Sequence, residues 1–202
     1  MGKIIAAVAL AALSLFSLTT GCGGPTTDPD PQTTGSSAPF PEGTTLTGFF
    51  IHHMGMAMEP YYILRVNETG TYMKITSMAP YDWRMLGDED ALTESERYFA
   101  FADTVKDDEP AFLKKLDDDE PLRELEALIE QTGALSWDGF TKRVPTPPGL
   151  LDGGESYELY LELSDGTTVT VDSYNARPDG FGELHYEAAK LFEEICRPQE
   201  ER

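Results

Sequence analysis

Apolar and polar positions change period several times along residues 45–202, and each change marks an element. Leu46 to His53 is a β-rich run containing Phe49, Phe50 and Ile51, with Gly55 as the break after it. In residues 60–77 the loop Asn67-Glu68-Thr69-Gly70 sets Val66 opposite Thr71, Leu64 opposite Met73 and Tyr62 opposite Ile75. One face of that hairpin collects these pairs; the other carries Ile63, Arg65, Tyr72 and Lys74. Near the C-terminus Tyr157, Leu159, Leu161 and Leu163 alternate with Glu158, Tyr160 and Glu162, and Val169 and Val171 alternate with Thr168, Thr170 and Asp172. A two-residue Asp165-Gly166 loop pairs Leu161 with Thr170 and mixes the faces. A three-residue loop, Ser164-Asp165-Gly166 with a left-handed Gly166, pairs Leu161 with Val169 and Leu159 with Val171, and is preferred.

Two stretches take helical spacing instead. Leu122, Leu125, Leu128 and Ile129 follow Asp119 or Glu120 and Pro121, and Gly133 ends the run. Leu184, Ala188, Leu191 and Ile195 form a second stripe after Pro178-Asp179-Gly180. Between them in character lies residues 82–116: Thr93-Glu94-Ser95-Glu96 reads as a capping box, and Tyr98, Phe101, Ala102 and Val105 fit a helix, yet the same stretch also alternates as a strand. The helix is the preferred reading. The sum is an α+β domain: an antiparallel sheet of two β-hairpins plus an N-terminal strand, with two or three helices packed on one face.

The first 44 residues follow other rules. Lys3 precedes an uncharged apolar run from Ile4 to Leu18, shorter than the about 20 residues of a membrane span, and the small residues Thr19-Thr20-Gly21 lead to Cys22. This segment resembles the lipobox of bacterial lipoproteins, although Thr19 stands where that family usually has Leu. The resemblance implies removal of residues 1–21 by signal peptidase II, acylation of Cys22, and a place on the extracytoplasmic face of the cell membrane. Residues 23–44 are rich in Gly, Pro, Thr, Ser and Asp, bury too little apolar surface to fold, and read as a tether reaching about 25 Å from the bilayer. Residues 45–202 form the single domain. With Cys22 acylated, Cys196 has no partner in the chain, and no internal disulfide is expected.

Charge narrows the partners further. Asp and Glu number 36 against 15 Lys and Arg, for a net charge of −21. Such a surface repels nucleic acid and anionic headgroups, and leaves cations or basic surfaces as partners.

The one cluster of metal character is His52-His53-Met54-Gly55-Met56-Ala57-Met58. On a straight strand His52, Met54, Met56 and Met58 line one side, an imidazole and thioether set suited to Cu(I) or Ag(I), and His53 points away. Nucleophilic catalysis finds no support: Cys196 and His185 share one helix at a separation of about 16 Å, given about 1.5 Å of rise per residue. Asp107-Asp108-Glu109 and Asp117-Asp118-Asp119-Glu120 lack the alternating ligands and glycine of a calcium loop and read as a solvated loop and a helix start. Tyr61, Tyr62, Tyr72, Tyr81, Trp83, Trp137 and Phe140 offer aromatic area to a glycan or protein ligand, or to the core.

Three passages, Gly133-Ala134-Leu135-Ser136-Trp137-Asp138-Gly139-Phe140, Leu163 to Thr170 and Asn175 to Gly182, resemble those of uncharacterised domains in bacterial secreted and surface proteins, over roughly residues 48–196. That resemblance implies a recurrent module and no activity, cofactor or catalytic residue. The expectation is a lipid-anchored, non-catalytic binding or interaction module, with soft-metal handling through His52, Met54, Met56 and Met58 as the alternative and an enzyme with a dispersed site, gathering carboxylates with His52, His53 or His185, as a third reading.

Overall fold

The computed structural model describes residues 39–55, 59–77, 93–105, 111–146 and 154–197. The expected leader, Cys22 and most of the tether lie outside them, as do Met56, Met58, Tyr81, Trp83 and Asp107-Asp108-Glu109.

The domain is α+β, built on one antiparallel sheet. Its strands are β1 (Leu46–Met54), β2 (Tyr61–Asn67), β3 (Gly70–Thr76), β4 (Ala111–Lys115), β5 (Ser156–Leu163) and β6 (Thr168–Tyr174), in the spatial order β4-β3-β2-β1-β5-β6. The central position goes to β1, whose Phe49, Phe50 and Ile51 are all fully buried. A strand covered on both faces needs a continuous apolar run, and β1 has one.

Both hairpins adopt the expected register. Tyr62 faces Ile75, Leu64 faces Met73 and Val66 faces Thr71; Leu159 faces Val171 and Leu161 faces Val169. Gly166 is left-handed at φ 86, and its N–H donates to the Leu163 carbonyl at 3.0 Å. This is the three-residue loop that keeps apolar side chains on one face.

Helix α1 (Glu94–Phe99) begins with the expected capping box: the Thr93 hydroxyl accepts from the Glu96 N–H, and the Glu96 carboxylate accepts from the Thr93 N–H. Helix α2 (Glu120–Thr132) has Pro in its first turn and ends at Gly133, left-handed at φ 71. A 3-10 turn, Ala134–Trp137, continues from it. Helix α3 (Phe181–Cys196) starts after a left-handed Gly180.

Alternation along the strands divides the apolar residues between two cores. Phe49, Ile51, Leu64, Met73, Leu159, Leu161 and Val171 pack against Leu125 and Ile129 of α2 and Leu184, Ala188 and Phe192 of α3. Two helices therefore cover one face, as the sequence implied. On the other face Phe50, Ile63 and Tyr160 pack against Phe99 and Ala102, which brings α1 to the opposite side of the sheet. Tyr98 lies on Tyr160 with ring centroids 4.6 Å apart. Ahead of β1, Phe40 packs on the larger core and donates its N–H to Glu130 Oε1 at 2.8 Å.

Candidate histidine and glutamate site

All three histidines of this chain meet at one end of the sheet. Strand alternation sends the adjacent pair to opposite faces. His52 turns to the α1 face, 4% exposed, with its ring stacked on Tyr61 at 3.9 Å. His53 turns to the α3 face, where it stacks on the cross-strand Tyr157 at 4.9 Å, the planes 7° apart. Glu59 stands just before Pro60 and β2, in the connection from β1. His185 comes from α3, set in place by neighbouring Leu184, which is fully buried. The His185 ring meets His53 edge-on at 5.7 Å and is flanked by Tyr62 and Phe181.

Acid and base alternate through the site. Glu155 Oε2 is 3.8 Å from His53 Nε2, His53 Nδ1 is 3.2 Å from Glu59 Oε1, and Glu59 Oε2 is 3.4 Å from His185 Nε2. The Tyr157 hydroxyl donates to Glu155. One ligating atom each from His53, Glu59 and His185 lies within 4.8 Å of the other two. His53 Nε2 and His185 Nε2 are buried and make no hydrogen bond, their carboxylate neighbours being too distant or misaligned. Burial pushes His185 down to about 4; Glu59 opposes this and the other two histidines add to it. Burial likewise takes His52 to about 4, with the nearby Glu59 backbone opposing the shift and His53 adding to it.

The residues singled out from the sequence fall in different places. His52 and Met54 do share a strand face, but His52 is enclosed while Met54 is 47% exposed. Met56 and Met58, the other half of that set, are outside the described residues, as is Cys22. Cys196 is a free, half-buried thiol, pushed by burial to about 12, with Sγ 3.5 Å from the Met73 carbonyl oxygen. Asp118 serves the start of α2, accepting the Glu120 N–H through Oδ1. Trp137 and Tyr62 belong to the larger core, and Tyr61 packs beside Phe50 and His52.

Sequence reasoning missed the combination of His53, Glu59 and His185. A signal was present: on a straight strand His53 points away from the methionine face. Nothing in the spacing tied it to a histidine 132 positions later.

No family model matches the chain, and neither a curated protein nor a solved structure shows significant similarity to it.

Proposed function

We propose that the chain is a lipid-anchored envelope protein, acylated at Cys22 and held to the extracytoplasmic face of the membrane by residues 22–44, with a domain that binds rather than catalyses. The observation that carries the anchor is the apolar run ending in Thr19-Thr20-Gly21-Cys22 behind a single lysine. A Gly, Pro, Thr and Ser tract between that cysteine and a folded domain suits a tether, since it holds the domain clear of the headgroups.

The chemistry of the domain favours binding. Its gathered polar groups are two imidazoles and two carboxylates, which are ligands for a cation. The thiol at Cys196 is held protonated by burial, so it supplies no nucleophile at neutral pH.

Expression in a bacterial host fed an alkyne-labelled fatty acid tests the anchor. Label is expected on the wild type and absent from Cys22→Ala, with the mature chain starting at Cys22 by mass spectrometry. An unlabelled wild type, or one retaining its leader in the soluble cytosolic fraction, overturns the anchor. Turnover in a broad hydrolase screen, abolished by substitution of a single residue, overturns the binding role.

A further inference from the structure

We propose that His53, Glu59 and His185 bind an exchangeable divalent transition-metal ion of the zinc class, with Glu155 orienting the His53 ring. This names the ligand of the binding domain above and rests on that reading.

A neutral imidazole has one N–H and one lone pair, yet both nitrogens of His53 face carboxylates: Nδ1 toward Glu59 at 3.2 Å and Nε2 toward Glu155 at 3.8 Å. A cation between Nδ1 and Glu59 would be ligated by both, leaving Nε2 to Glu155. Glu59 faces a second imidazole on its other oxygen, where His185 Nε2 stands at 3.4 Å without a hydrogen bond. His185 is enclosed by Tyr62, Phe181 and His53, which hold its ring in place. A bound cation answers both contacts at once, through His53 Nδ1, His185 Nε2 and the Glu59 carboxylate.

The outer partners fit the same assignment. With Nδ1 on the ion, His53 carries its hydrogen on Nε2, pointing at Glu155, and Glu155 is itself held by the Tyr157 hydroxyl. A carboxylate on the far nitrogen of a ligating histidine fixes the tautomer and strengthens the ligand. Tyr157 also supports the ring from its face.

Two imidazoles and one carboxylate select borderline ions; calcium and magnesium prefer oxygen alone, and Cu(I) prefers sulfur. Bonds of about 2.0–2.2 Å place the donors of a tetrahedral site about 3.3 Å apart. The present spread, up to 4.8 Å, therefore has to close by about 1.5 Å. Glu59 has the freedom to do this, since its side chain is 34% exposed and joins two strands rather than sitting within one. Three protein ligands leave a coordination position to water, unlike the closed four-ligand sites that serve structure. The larger core is built from apolar side chains that do not ligate an ion, so exchange of the metal leaves the fold standing.

Calorimetric titration of Zn²⁺ into the untagged, full-length, acylated protein in detergent, stripped beforehand with a chelator, tests the site. Wild type is expected to bind one ion per chain, and Co²⁺ to give the visible absorption of a low-symmetry nitrogen and oxygen site. His53→Gln and His185→Gln are each expected to weaken Zn²⁺ by more than about tenfold, the loss that even an outer-shell partner causes. Glu59→Gln, at the most exposed ligand, gives the same answer with the least risk to folding, which far-ultraviolet circular dichroism checks. Met54→Leu/Met56→Leu/Met58→Leu should keep the Zn²⁺ affinity. A flat wild-type isotherm, an unchanged Glu59→Gln isotherm in a folded protein, displacement of Zn²⁺ by excess Ca²⁺, or loss of Zn²⁺ with the methionines each overturns the site. Acylation at Cys22 is read by mass spectrometry on the same preparation, so a negative titration removes the metal site and leaves the anchored module standing.

Discussion

His53 Nδ1 stands 3.2 Å from Glu59 Oε1, on the sheet face opposite the one to which the adjacent His52 turns. His52 stacks on Tyr61 at 3.9 Å and takes no part in the proposed ligation. His52→Phe keeps an aromatic ring against Tyr61 and is expected to leave both the Zn²⁺ isotherm and the Co²⁺ spectrum as in wild type. Loss of Zn²⁺ binding in a folded His52→Phe protein would place His52 among the ligands and overturn this division of the pair.

Gly48 leaves room for Phe99. A Cβ at position 48 would stand 2.6 Å from Cε2 and Cζ of that ring, which also carries Arg65 at 4.7 Å from its centroid. Gly48→Ala is expected to cost about 1–3 kcal/mol through overpacking, measured by urea unfolding. Adding Phe99→Leu should recover part of the loss, since the two positions are coupled. A strictly additive double variant would show that the contact is not the cause.

The hairpins were legible because period-two alternation leaves only one register that keeps Leu159, Leu161, Val169 and Val171 together. Helices α2 and α3 announced themselves by spacing and by Gly133 and Gly180 at their ends. Strand β4 was not legible: Ala111–Lys115 is short, ends in two lysines and sits at the sheet edge, where little burial constrains the pattern. The second core was hidden for a related reason. Phe50, Ile63 and Tyr160 look like outward positions until α1 covers them. The site failed to appear because its members come from β1, the β1–β2 connection, the residue before β5 and α3, and only the folded sheet brings them together.

The buried tyrosines predict an alkaline limit to stability. Burial raises Tyr62 and Tyr160 to about 12, with Glu193 and Glu59 adding at the first and Glu162 and Glu94 at the second. Tyr61 and Tyr98 are raised by burial too, with Glu158 adding to both. The folded state keeps protons that the unfolded chain gives up near pH 10. Stability is therefore full below about pH 10 and is lost as pH rises toward about 12. Absorbance at 295 nm should show these phenols ionising late and together with unfolding followed by circular dichroism. Ionisation of all nine tyrosines near pH 10 in a folded protein contradicts this.

Cys196 should be inert while the domain is folded. Burial, with Glu193 adding, holds the thiol near 12, and Lys114 only partly offsets them. Alkylation by iodoacetamide at pH 8 is expected to be slow in the native protein and to reach completion in guanidinium. Equal rates in the two states would mean that Cys196 is open to solvent.

Lys74 lies 2% exposed on β3, with Nζ donating to the Phe101 and Thr104 carbonyl oxygens, both at 2.9 Å. Those carbonyls belong to the chain that leaves α1, so a buried charge ties the end of that helix to the sheet. Lys74→Met keeps most of the volume and removes the ammonium donor from both acceptors, leaving the Phe101 carbonyl with the long 3.5 Å bond from the Thr104 N–H. The expected cost is about 1.5–3 kcal/mol, the range for hydrogen bonds to a charged group. Because the loss falls on one segment, amide exchange should speed up first in residues 99–104 and leave β5 and β6 protected. An apolar replacement sometimes stabilises a protein by relieving a buried charge. A Lys74→Met protein as stable as wild type, with protection retained in residues 99–104, would show that aromatic packing of Tyr98 and Phe99, with the Ser95–Glu162 and Asn67–Asp103 hydrogen bonds, holds α1 in place without the lysine.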